Sequence, residues 1–338
     1  MTGLSDTFNR PINYLRISVT DRCNLRCIYC MPPEGINLLP HSEILTYEEI
    51  VAIVRLAAEL GINKVRLTGG EPLVRARLPE LVAMLAEIDT IDDISLTTNG
   101  ILLKKYAGEL KQAGLNRVNV SLDSLNQDKF KRITRHDKLG EVLRGIEAAK
   151  DCGLDPVKIN MVVMRGINDD EVVDFARLTI TSGWHVRFIE LMPFAADNPP
   201  EGHSSGEKTS VDTQFMSADE VKERLVSLGR LEPSHVITGN GPAKYFRFPQ
   251  AGGTVGFITP VSQHFCFNCN RLRLTAEGKL RPCLLSDHEV DLRQPLRGGT
   301  STEELKKVII EAIKSKPQKH QLPGGRVSGK RLMSQVGG

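Results

Sequence analysis

The cysteines of this 338-residue chain are the residues whose type and spacing most clearly predict chemistry. Seven are present, and Cys152 is the only one that stands apart from the others. An odd number of thiols, mostly two or three residues apart and without an export signal, disfavours a disulfide framework and favours metal or iron–sulfur ligands in the reducing cytoplasm. The remaining six form two triplets: Cys23, Cys27 and Cys30, then Cys266, Cys269 and Cys283.

The first triplet lies in a predicted loop directly after a predicted strand, with the spacing Cys-x3-Cys-x2-Cys. Three thiolates can bind three irons of a [4Fe–4S] cluster and leave the fourth iron open to a small molecule. The alternative is a zinc ion whose fourth ligand is His41 or another nitrogen. Structural zinc sites are usually built from two pairs of ligands, so we favour the cluster.

The second triplet has the spacing Cys-x2-Cys-x13-Cys and again provides three thiols rather than four. Taken alone it favours a zinc ribbon closed by His264 or His288, since a Cys-x2-Cys pair with a distant partner is typical of zinc. Beside a first site with an open iron, a second cluster with an open iron becomes the better interpretation.

The elements that must position these thiols alternate strand and helix. Helices are expected at 46–61, 78–88, 102–113, 140–152 and 169–181, between strands at 14–19, 64–67, 94–98, 117–121, 157–163 and 186–191. Six strands separated by helices predict a parallel sheet with crossover helices. The predicted fold class is α/β, an incomplete (β/α)6 TIM-type barrel with its chemistry at the carboxyl ends of the strands.

The regular alternation of strands and helices ends after Met192, which indicates a linker and a further region of the chain. We expect the partial barrel over 1–193, a loop or linker over 194–216, and a C-terminal extension with the second cluster over 217–315. The extension should hold a helix at 217–228, two strands within 243–260, strand-like residues at 270–282 and a helix at 302–314. A glycine-rich basic tail, 316–338, ends at Gly337-Gly338.

Several cations lie on predicted strands, where water has little access. Any one of them could be a surface or ion-paired residue, but their coincidence predicts a polyanion, and the planar arginine fork suits phosphate oxygens. These cations are Arg16, Lys64, Arg66, Lys158, Arg187, Arg271 and Arg273.

Composition excludes other classes of protein. Lys and Arg exceed Asp and Glu by 44 − 41 = +3, and aromatic residues make up 5% of the chain, which disfavours a nucleic-acid-binding module. Hydrophobic residues at 40% and charged residues at 25% are ordinary for a globular chain. The sequence contains neither an apolar leader near Met1 nor an apolar run long enough to span a membrane, so we expect neither secretion nor membrane insertion.

The motifs together resemble a known family. The first triplet has the spacing of radical S-adenosylmethionine (SAM) enzymes, Tyr29 is the aromatic residue expected before its third cysteine, and Gly69-Gly70-Glu71-Pro72 resembles the GGEP element. Over nearly its whole length the chain resembles the molybdenum cofactor biosynthesis protein A family, the GTP 3′,8-cyclases. The resemblance rests on TDRCNLRCIYCMP, KVRLTGGEPLVR, LTTNG, NVSLDSL, RFIELMP, FCFNCNRLRLT, GKLRPCL and the terminal Gly-Gly.

The resemblance implies a lyase with two [4Fe–4S] clusters and SAM as cofactors. It would take a hydrogen atom from the ribose C3′ of GTP and join C3′ to guanine C8, giving (8S)-3′,8-cyclo-7,8-dihydroguanosine 5′-triphosphate, and the second cluster would anchor the guanine. It implies an electron donor, a following cyclic pyranopterin monophosphate synthase and a possible homodimer.

The resemblance also assigns residues. The GTP site would comprise Arg16, Lys64, Arg66, Thr97, Lys158, Arg187, Arg271, Leu272 and Arg273. The SAM site would comprise Tyr29, Gly70, Glu71, Ser121 and Met192, with glycine backbone and the Glu71 carboxylate meeting the methionine amino group. Arg16, Arg66, Gly337 and Gly338 would act in catalysis, the tail reaching into the active site.

Two other functions compete with this one. A radical SAM peptide maturase with an auxiliary cluster would typically have more C-terminal cysteines and no reason for cations on barrel strands. A zinc-stabilised nucleic-acid-binding module would need a basic face with stacking aromatic residues.

Overall fold

A computed structural model describes residues 4–193, 213–235, 241–320 and 331–337. Six parallel strands with their crossover helices form its N-terminal half, as the alternating pattern predicts. The strands are β1 Tyr14–Ser18, β2 Lys64–Thr68, β3 Asp93–Thr98, β4 Arg117–Ser121, β5 Lys158–Val163 and β6 His185–Glu190. The helices are α1 Tyr47–Glu59, α2 Leu78–Ala86, α3 Leu103–Gln112, α4 Gln127–Thr134, α5 Leu139–Asp151 and α6 Val172–Thr181.

The C-terminal elements extend the same sheet at both edges. They are α7 Ala218–Leu225, β7 Glu232–Pro233, β8 Lys244–Arg247, β9 Thr254–Ile258, β10 Arg271–Leu274, β11 Lys279–Arg281, β12 Val290–Asp291, α8 Arg293–Arg297 and α9 Thr302–Lys314. Strand β9 lies parallel beside β6, and β10 lies parallel beside β1. The sheet order is β12-β11-β10-β1-β2-β3-β4-β5-β6-β9-β8-β7.

Strand alternation separates the two faces of the sheet. On β2, Val65 and Leu67 are fully buried in the apolar core with α1 residues such as Val54. The intervening Lys64 and Arg66 point to the other face, because successive side chains of a strand alternate. The outer face therefore holds the core, and the inner face holds the polar residues. Cys152 packs against the core, as its helix-end position suggests.

The local signals at helix ends are borne out. The helix expected over 46–61 begins with a capping box formed by Thr46 and Glu49, in which Thr46 N donates to the Glu49 carboxylate at 2.8 Å. The sequence predicts one helix over 169–181, but the structure divides this region into a 3-10 turn, Asp169–Glu171, followed by α6.

Helix α4 is absent from the sequence predictions. Asn126 caps it by accepting a hydrogen bond from Lys129 N at 3.1 Å, but its eight residues are too few for a clear helical period. Within the described ranges, no helix is both long and apolar enough to cross a membrane. Most of the predicted linker, 194–212, and the tail residues 321–330 and Gly338 lie outside the described residues.

Candidate active site

Three arginines from three adjacent strands lie side by side on the inner face. The register pairs Arg16 of β1 with Arg66 of β2 on one side and with Arg273 of β10 on the other. A second pairing places Tyr14 beside Arg271. Residues 16 and 273 are far apart in the chain, and the parallel pairing of β1 with β10 is what makes them neighbours.

Strands β5 and β6 add two more cations on the same face. Lys158 and Arg187 are 3% and 4% exposed. Arg187 Nε and Nη2 have no hydrogen-bond partner among the described residues, although both atoms are buried. Gly256 leaves room for this side chain, since a Cβ at that position would lie 2.9 Å from Arg187 Cγ and 2.9 Å from the Tyr245 ring.

The charges of this cluster are mutually unfavourable. Burial, followed by Arg271, lowers the pKa of Arg273 to about 9. Burial, followed by Arg187, lowers the pKa of Lys158 to about 6. Burial and then Arg273 lower the pKa of Arg16. Buried like charges are costly without a counter-ion, so the arrangement favours a bound polyanion.

These side chains line a cavity of about 240 Å³. The sequence-predicted residues in its wall are Arg16, Tyr29, Arg66, Thr97, Ser121, Arg187, Met192, Arg271, Arg273, Cys266, Cys269 and Cys283. Tyr14, Asp123 and Asn160 also line it, and sequence reasoning missed them. The spacing of Tyr14 two residues before Arg16 on the same predicted strand could have identified that tyrosine, because alternate residues of a strand share a face.

Five predicted substrate or cofactor residues are not part of the cavity wall. Lys158 is adjacent but is not part of the cavity wall, and Lys64 stands at the amino end of β2. The Leu272 side chain points to the opposite face of β10 and is buried in the apolar core, so only its backbone faces this region. Gly70 and Glu71 make hydrogen bonds to other residues of the protein.

The two glycines of the GGEP element permit close packing against the cysteine loop. A Cβ on Gly70 would lie 2.4 Å from the Arg22 carbonyl oxygen, and one on Gly69 would lie 2.5 Å from that of Thr20. Gly70 N and Glu71 N donate to those same carbonyls at 2.8 Å each. The glycines thus join β2 to the start of the cysteine loop, where we expected them to expose backbone to a ligand.

Glu71 has a structural contact set instead of a free carboxylate. It accepts hydrogen bonds from Leu73 N at 3.1 Å, Thr98 Oγ1 at 2.7 Å and Asn99 N at 2.7 Å. Burial raises its pKa to about 7 despite these bonds. The carboxylate holds the end of β3 to the GGEP element, and its expected contact with the amino group of SAM stays a prediction.

The first thiol triad lies in the loop between β1 and α1, and its thiols act on one another electrostatically. Burial is the main cause that raises the pKa of Cys23 to about 11 and that of Cys30 to about 12. The pKa of Cys27 is also raised by burial and by Cys30. Binding of iron would replace the protons of these thiols, because thiolates are the ligands.

Helix α4 supports this loop. Ile28 N donates to the Ile133 carbonyl at 3.0 Å, and Arg135, just after the helix, donates to the Arg26 carbonyl at 2.7 Å. Tyr29 donates through its hydroxyl to Asp123 Oδ2 at 2.6 Å, and Asp123 Oδ1 accepts from Val162 N at 2.8 Å. The aromatic residue of the triad is therefore fixed to the carboxyl ends of β4 and β5.

The second thiol triad lies in the cavity wall and has a more positive environment. Burial alone would raise the pKa of Cys269, but Arg271 and Lys316 outweigh it and lower that pKa to about 6. The pKa of Cys266 is raised by burial. Lys316 and Arg10, both buried beside this triad, were missed by sequence reasoning.

The C-terminal tail reaches the same region. Arg273 Nη1 donates to the Gly337 carbonyl at 2.9 Å, and Ser334 lies beside Cys30. Gly337 has φ +72°, and a Cβ there would lie 2.8 Å from Thr68 Cγ2. Gly337 therefore lies between the ends of β1 and β2, while Gly338 is outside the described residues.

The donor sets suit iron–sulfur clusters better than single ions. In the part of the chain that the structure describes, no group of three or more His, Cys, Asp or Glu residues is arranged around one metal-ion position. His41, the alternative zinc ligand, instead contacts Arg22 Nη2 through Nε2 at 3.1 Å. Each thiolate of a cube binds a different iron, which suits three thiols grouped without a common centre.

Comparisons with known proteins agree with the motifs. Residues 17–179 match the family model described as Radical SAM superfamily, and residues 184–322 match Molybdenum Cofactor Synthesis C. Among solved structures, SuiB of Streptococcus suis bound to precursor peptide SuiA has a TM-score of 0.60 at 15% identity, covering 92% of this chain and 67% of that one. At this identity the likeness shows the fold alone.

Similar sequences extend over the whole chain. The GTP 3′,8-cyclase of Desulforamulus reducens is 53% identical and covers 98% of this chain and 99% of its own length. That of Pelotomaculum thermopropionicum is 54% identical and covers 99% and 100%. That of Thermodesulfovibrio yellowstonii is 52% identical, again covering 99% and 100%. The chain therefore belongs to the GTP 3′,8-cyclase family of the radical SAM superfamily.

Proposed function

We propose that this chain is a lyase that converts GTP to (8S)-3′,8-cyclo-7,8-dihydroguanosine 5′-triphosphate, the first step of molybdenum cofactor biosynthesis. The observation that carries the proposal is the row of three adjacent arginines, Arg273, Arg16 and Arg66, in one cavity with the second thiol triad and with Tyr29 of the first triad's loop. A nucleoside triphosphate has an anion for the arginines and a heterocycle for an open iron.

The cations would bind the triphosphate. Arg273, Arg16 and Arg66 present three guanidinium groups from adjacent strands, each able to donate two parallel hydrogen bonds to phosphate oxygens. Arg187 Nε and Nη2, which have no hydrogen-bond partner in the described part of the chain, would serve the same purpose, and Lys158 adds a cationic side chain from β5. Thr97 and Arg271 would complete the GTP site.

The first triad would hold a [4Fe–4S] cluster through Cys23, Cys27 and Cys30, with SAM on its open iron. With SAM bound, that cluster supplies the one-electron chemistry that removes the hydrogen atom from ribose C3′. Tyr29, Ser121 and Met192 lie where they could line the SAM site, and Gly337 could close it beside Thr68. Glu71 and the GGEP glycines would support it indirectly.

The second triad would hold the other [4Fe–4S] cluster through Cys266, Cys269 and Cys283, whose open iron would take the guanine. Arg271 would contact both ends of the substrate, since it stands two residues after Cys269 and is paired with Tyr14, two residues before Arg16 of the arginine row. This placement would bring guanine C8 and ribose C3′ between the two clusters.

The units and partners follow from this function. The barrel would span 1–193 and the auxiliary-cluster region 217–315, with the linker and tail between and after them. An electron donor would reduce the first cluster, a cyclic pyranopterin monophosphate synthase would consume the product, and the chain could pair as a homodimer. Reduced thiol clusters are typical of cytoplasmic proteins.

The test is anaerobic incubation of the reconstituted protein with reductant, SAM and GTP. We expect 5′-deoxyadenosine to form only when GTP is present, and the nucleotide product to carry a C3′–C8 bond by mass spectrometry. The Cys23→Ala and Cys269→Ala variants should lose the product, whereas the matched Cys152→Ala variant should keep it. GTP-independent turnover, or zinc in place of iron on metal analysis, would refute the proposal.

A further inference from the structure

Two buried cations from opposite ends of the chain meet the second thiol triad. Lys316, just after α9, is 3% exposed, and Arg10, before β1, is 5% exposed. Neither residue belongs to the strands that line the cavity, and neither has a place in the proposed binding of GTP.

Lys316 joins the two segments that carry the three thiols. Its Nζ donates to the Arg271 carbonyl at 2.8 Å and to the Pro282 carbonyl at 2.5 Å. Arg271 is two residues after Cys269, and Pro282 directly precedes Cys283. A single ammonium group therefore sets the separation of these two cysteines.

Arg10 joins the Cys266 loop to the residues that follow α9. Its Nη1 donates to the Cys266 carbonyl at 2.7 Å and to the Gln318 carbonyl at 2.9 Å, while Nη2 donates to the Pro317 carbonyl at 2.8 Å. Asp6 neutralises and orients this guanidinium through a 2.5 Å contact with Nε. The residues after α9 are thereby fastened to the Cys266 loop.

The charge of Lys316 needs an anion. Within the described residues Lys316 makes no ion pair with a carboxylate, and burying an ammonium group costs several kcal/mol unless it is compensated. The groups that act against this burial are the thiols of Cys269 and Cys283, which raise the pKa of Lys316. Three thiolates on a [4Fe–4S] core leave a net negative charge, which would supply the missing partner.

We propose that Lys316 and Arg10 form a clamp that positions the second thiol triad and balances the charge of the cluster bound there. The inference rests on the proposed function only in that this triad carries a cluster. Both are positioning residues, acting through the cysteine-bearing segments. Because a nearby positive charge favours the reduced form of a cluster, Lys316 also raises its reduction potential.

The experiment compares full-length variants after anaerobic reconstitution. Lys316→Met removes both charge and hydrogen bonds, Lys316→Gln keeps an amide donor without charge, and Lys316→Arg keeps both. The matched control is Lys314→Met, an exposed lysine that pairs with Glu311. Iron and sulfide content report cluster loading, and potentiometric EPR of protein whose first triad is replaced by serines reports the second cluster's potential.

We expect Lys316→Met to take up about half the wild-type iron, because the first triad still loads. Lys316→Gln should load more fully but show a lower reduction potential, and Lys316→Arg and Lys314→Met should match wild type. Full loading of Lys316→Met with an unchanged potential would overturn the clamp. If Lys316→Met does not fold, the test uses Lys316→Gln. A second-cluster reduction potential equal to that of wild type in this variant would refute the proposed charge balance.

The result also distinguishes this inference from the proposed function. A wild-type protein that loads no more iron than its Cys266→Ser variant has no second cluster, and then the proposed function fails before the clamp is tested. Two clusters in the wild type, with no effect of Lys316, leave the function intact and refute the clamp alone.

Discussion

Replacing Arg273 with methionine should stabilise the empty protein and weaken its binding of GTP. Arg273 is 5% exposed, is paired in register with Arg16, and lines the cavity. Methionine keeps an unbranched side chain of similar reach but removes the charge. The two effects have opposite signs because the same positive charge is unfavourable without an anion and favourable with one.

The magnitude follows from the pKa of Arg273, which burial and then Arg271 lower from 12.5 to about 9. At 1.36 kcal/mol per unit, this shift corresponds to roughly 5 kcal/mol of unfavourable free energy at neutral pH, as an upper bound. Losing the 2.9 Å hydrogen bond to the Gly337 carbonyl and some packing offsets about 2 kcal/mol. We expect a net gain of about 1–3 kcal/mol in the free energy of unfolding.

The loss in GTP affinity has a separate origin. A charge-assisted hydrogen bond contributes about 1.5–3 kcal/mol, so Kd should rise by roughly 10- to 150-fold. The assays are urea denaturation of the metal-free protein and equilibrium dialysis with GTP. Arg230→Met is the matched control, since Arg230 is exposed and should change neither measurement.

The pH dependence provides a further check. Arg273 destabilises the fold fully while it is protonated in both states, that is, below its folded pKa of about 9. As pH rises above 9, the folded protein loses this proton first and the unfavourable contribution declines. The stability gap between variant and wild type should therefore narrow at pH 10. A variant less stable than wild type at pH 7.5, with unchanged GTP affinity, would refute the reasoning.

Three other predictions test separate parts of the site. GTP binding should take up about one proton between pH 6 and 10, because the pKa of Lys158 is about 6 in the empty protein and bound phosphate would raise it. The affinity of the protein for GTP should therefore fall as pH rises through that window. Calorimetry in buffers of different ionisation enthalpy should detect the proton uptake in wild type and not in Lys158→Met. The buried Tyr14 hydroxyl lines the cavity and has no hydrogen-bond partner among the described residues, so we expect it to contact the triphosphate. Tyr14→Phe should not lower the stability of the empty protein but should raise the Kd for GTP by about 10-fold in dialysis, and an unchanged Kd would contradict the contact. Glu71→Ala should lower the free energy of unfolding, measured in urea, by about 2–4 kcal/mol, because it leaves three hydrogen-bond donors without their acceptor. A loss below about 1 kcal/mol would show that Glu71 does not hold β3.

The two thiol triads differ in charge environment, which suits their proposed tasks. The first triad has charges of both signs nearby, Glu71 and Asp123 with Arg26 and Arg135, whereas the charged side chains beside the second triad are Arg271, Lys316 and Arg10. A more positive environment stabilises the reduced form of a cluster. The first cluster should accordingly be the stronger reductant, as cleavage of SAM requires.

Much of this protein could be predicted from local sequence patterns. The strand and helix periods of the βα units, the capping box at Thr46 and the helix over 302–314 all follow from residues within one or two turns of each other, and the structure has them. The spacing of the first thiol triad is equally local, because one short loop brings Cys23, Cys27 and Cys30 together. In the second triad, Cys283 lies near Cys266 and Cys269 only because β10 and β11 pair between them. Helix α4, with eight residues, is too short for that kind of signal.

Only the tertiary structure decides what depends on register and on distant contacts. The pairing of β1 with β10 makes Arg16 and Arg273 neighbours, and nothing near either residue in the chain specifies that alignment. The sequence predicts Glu71 as a ligand contact, and only the structure shows that its carboxylate also accepts hydrogen bonds from three donors of the protein. In the sequence, Lys316 is one of several lysines in a basic tail. Only the structure shows that its position directly after α9 places it beside the second triad. Local patterns encode which groups are available, and strand pairing and burial determine which of them meet.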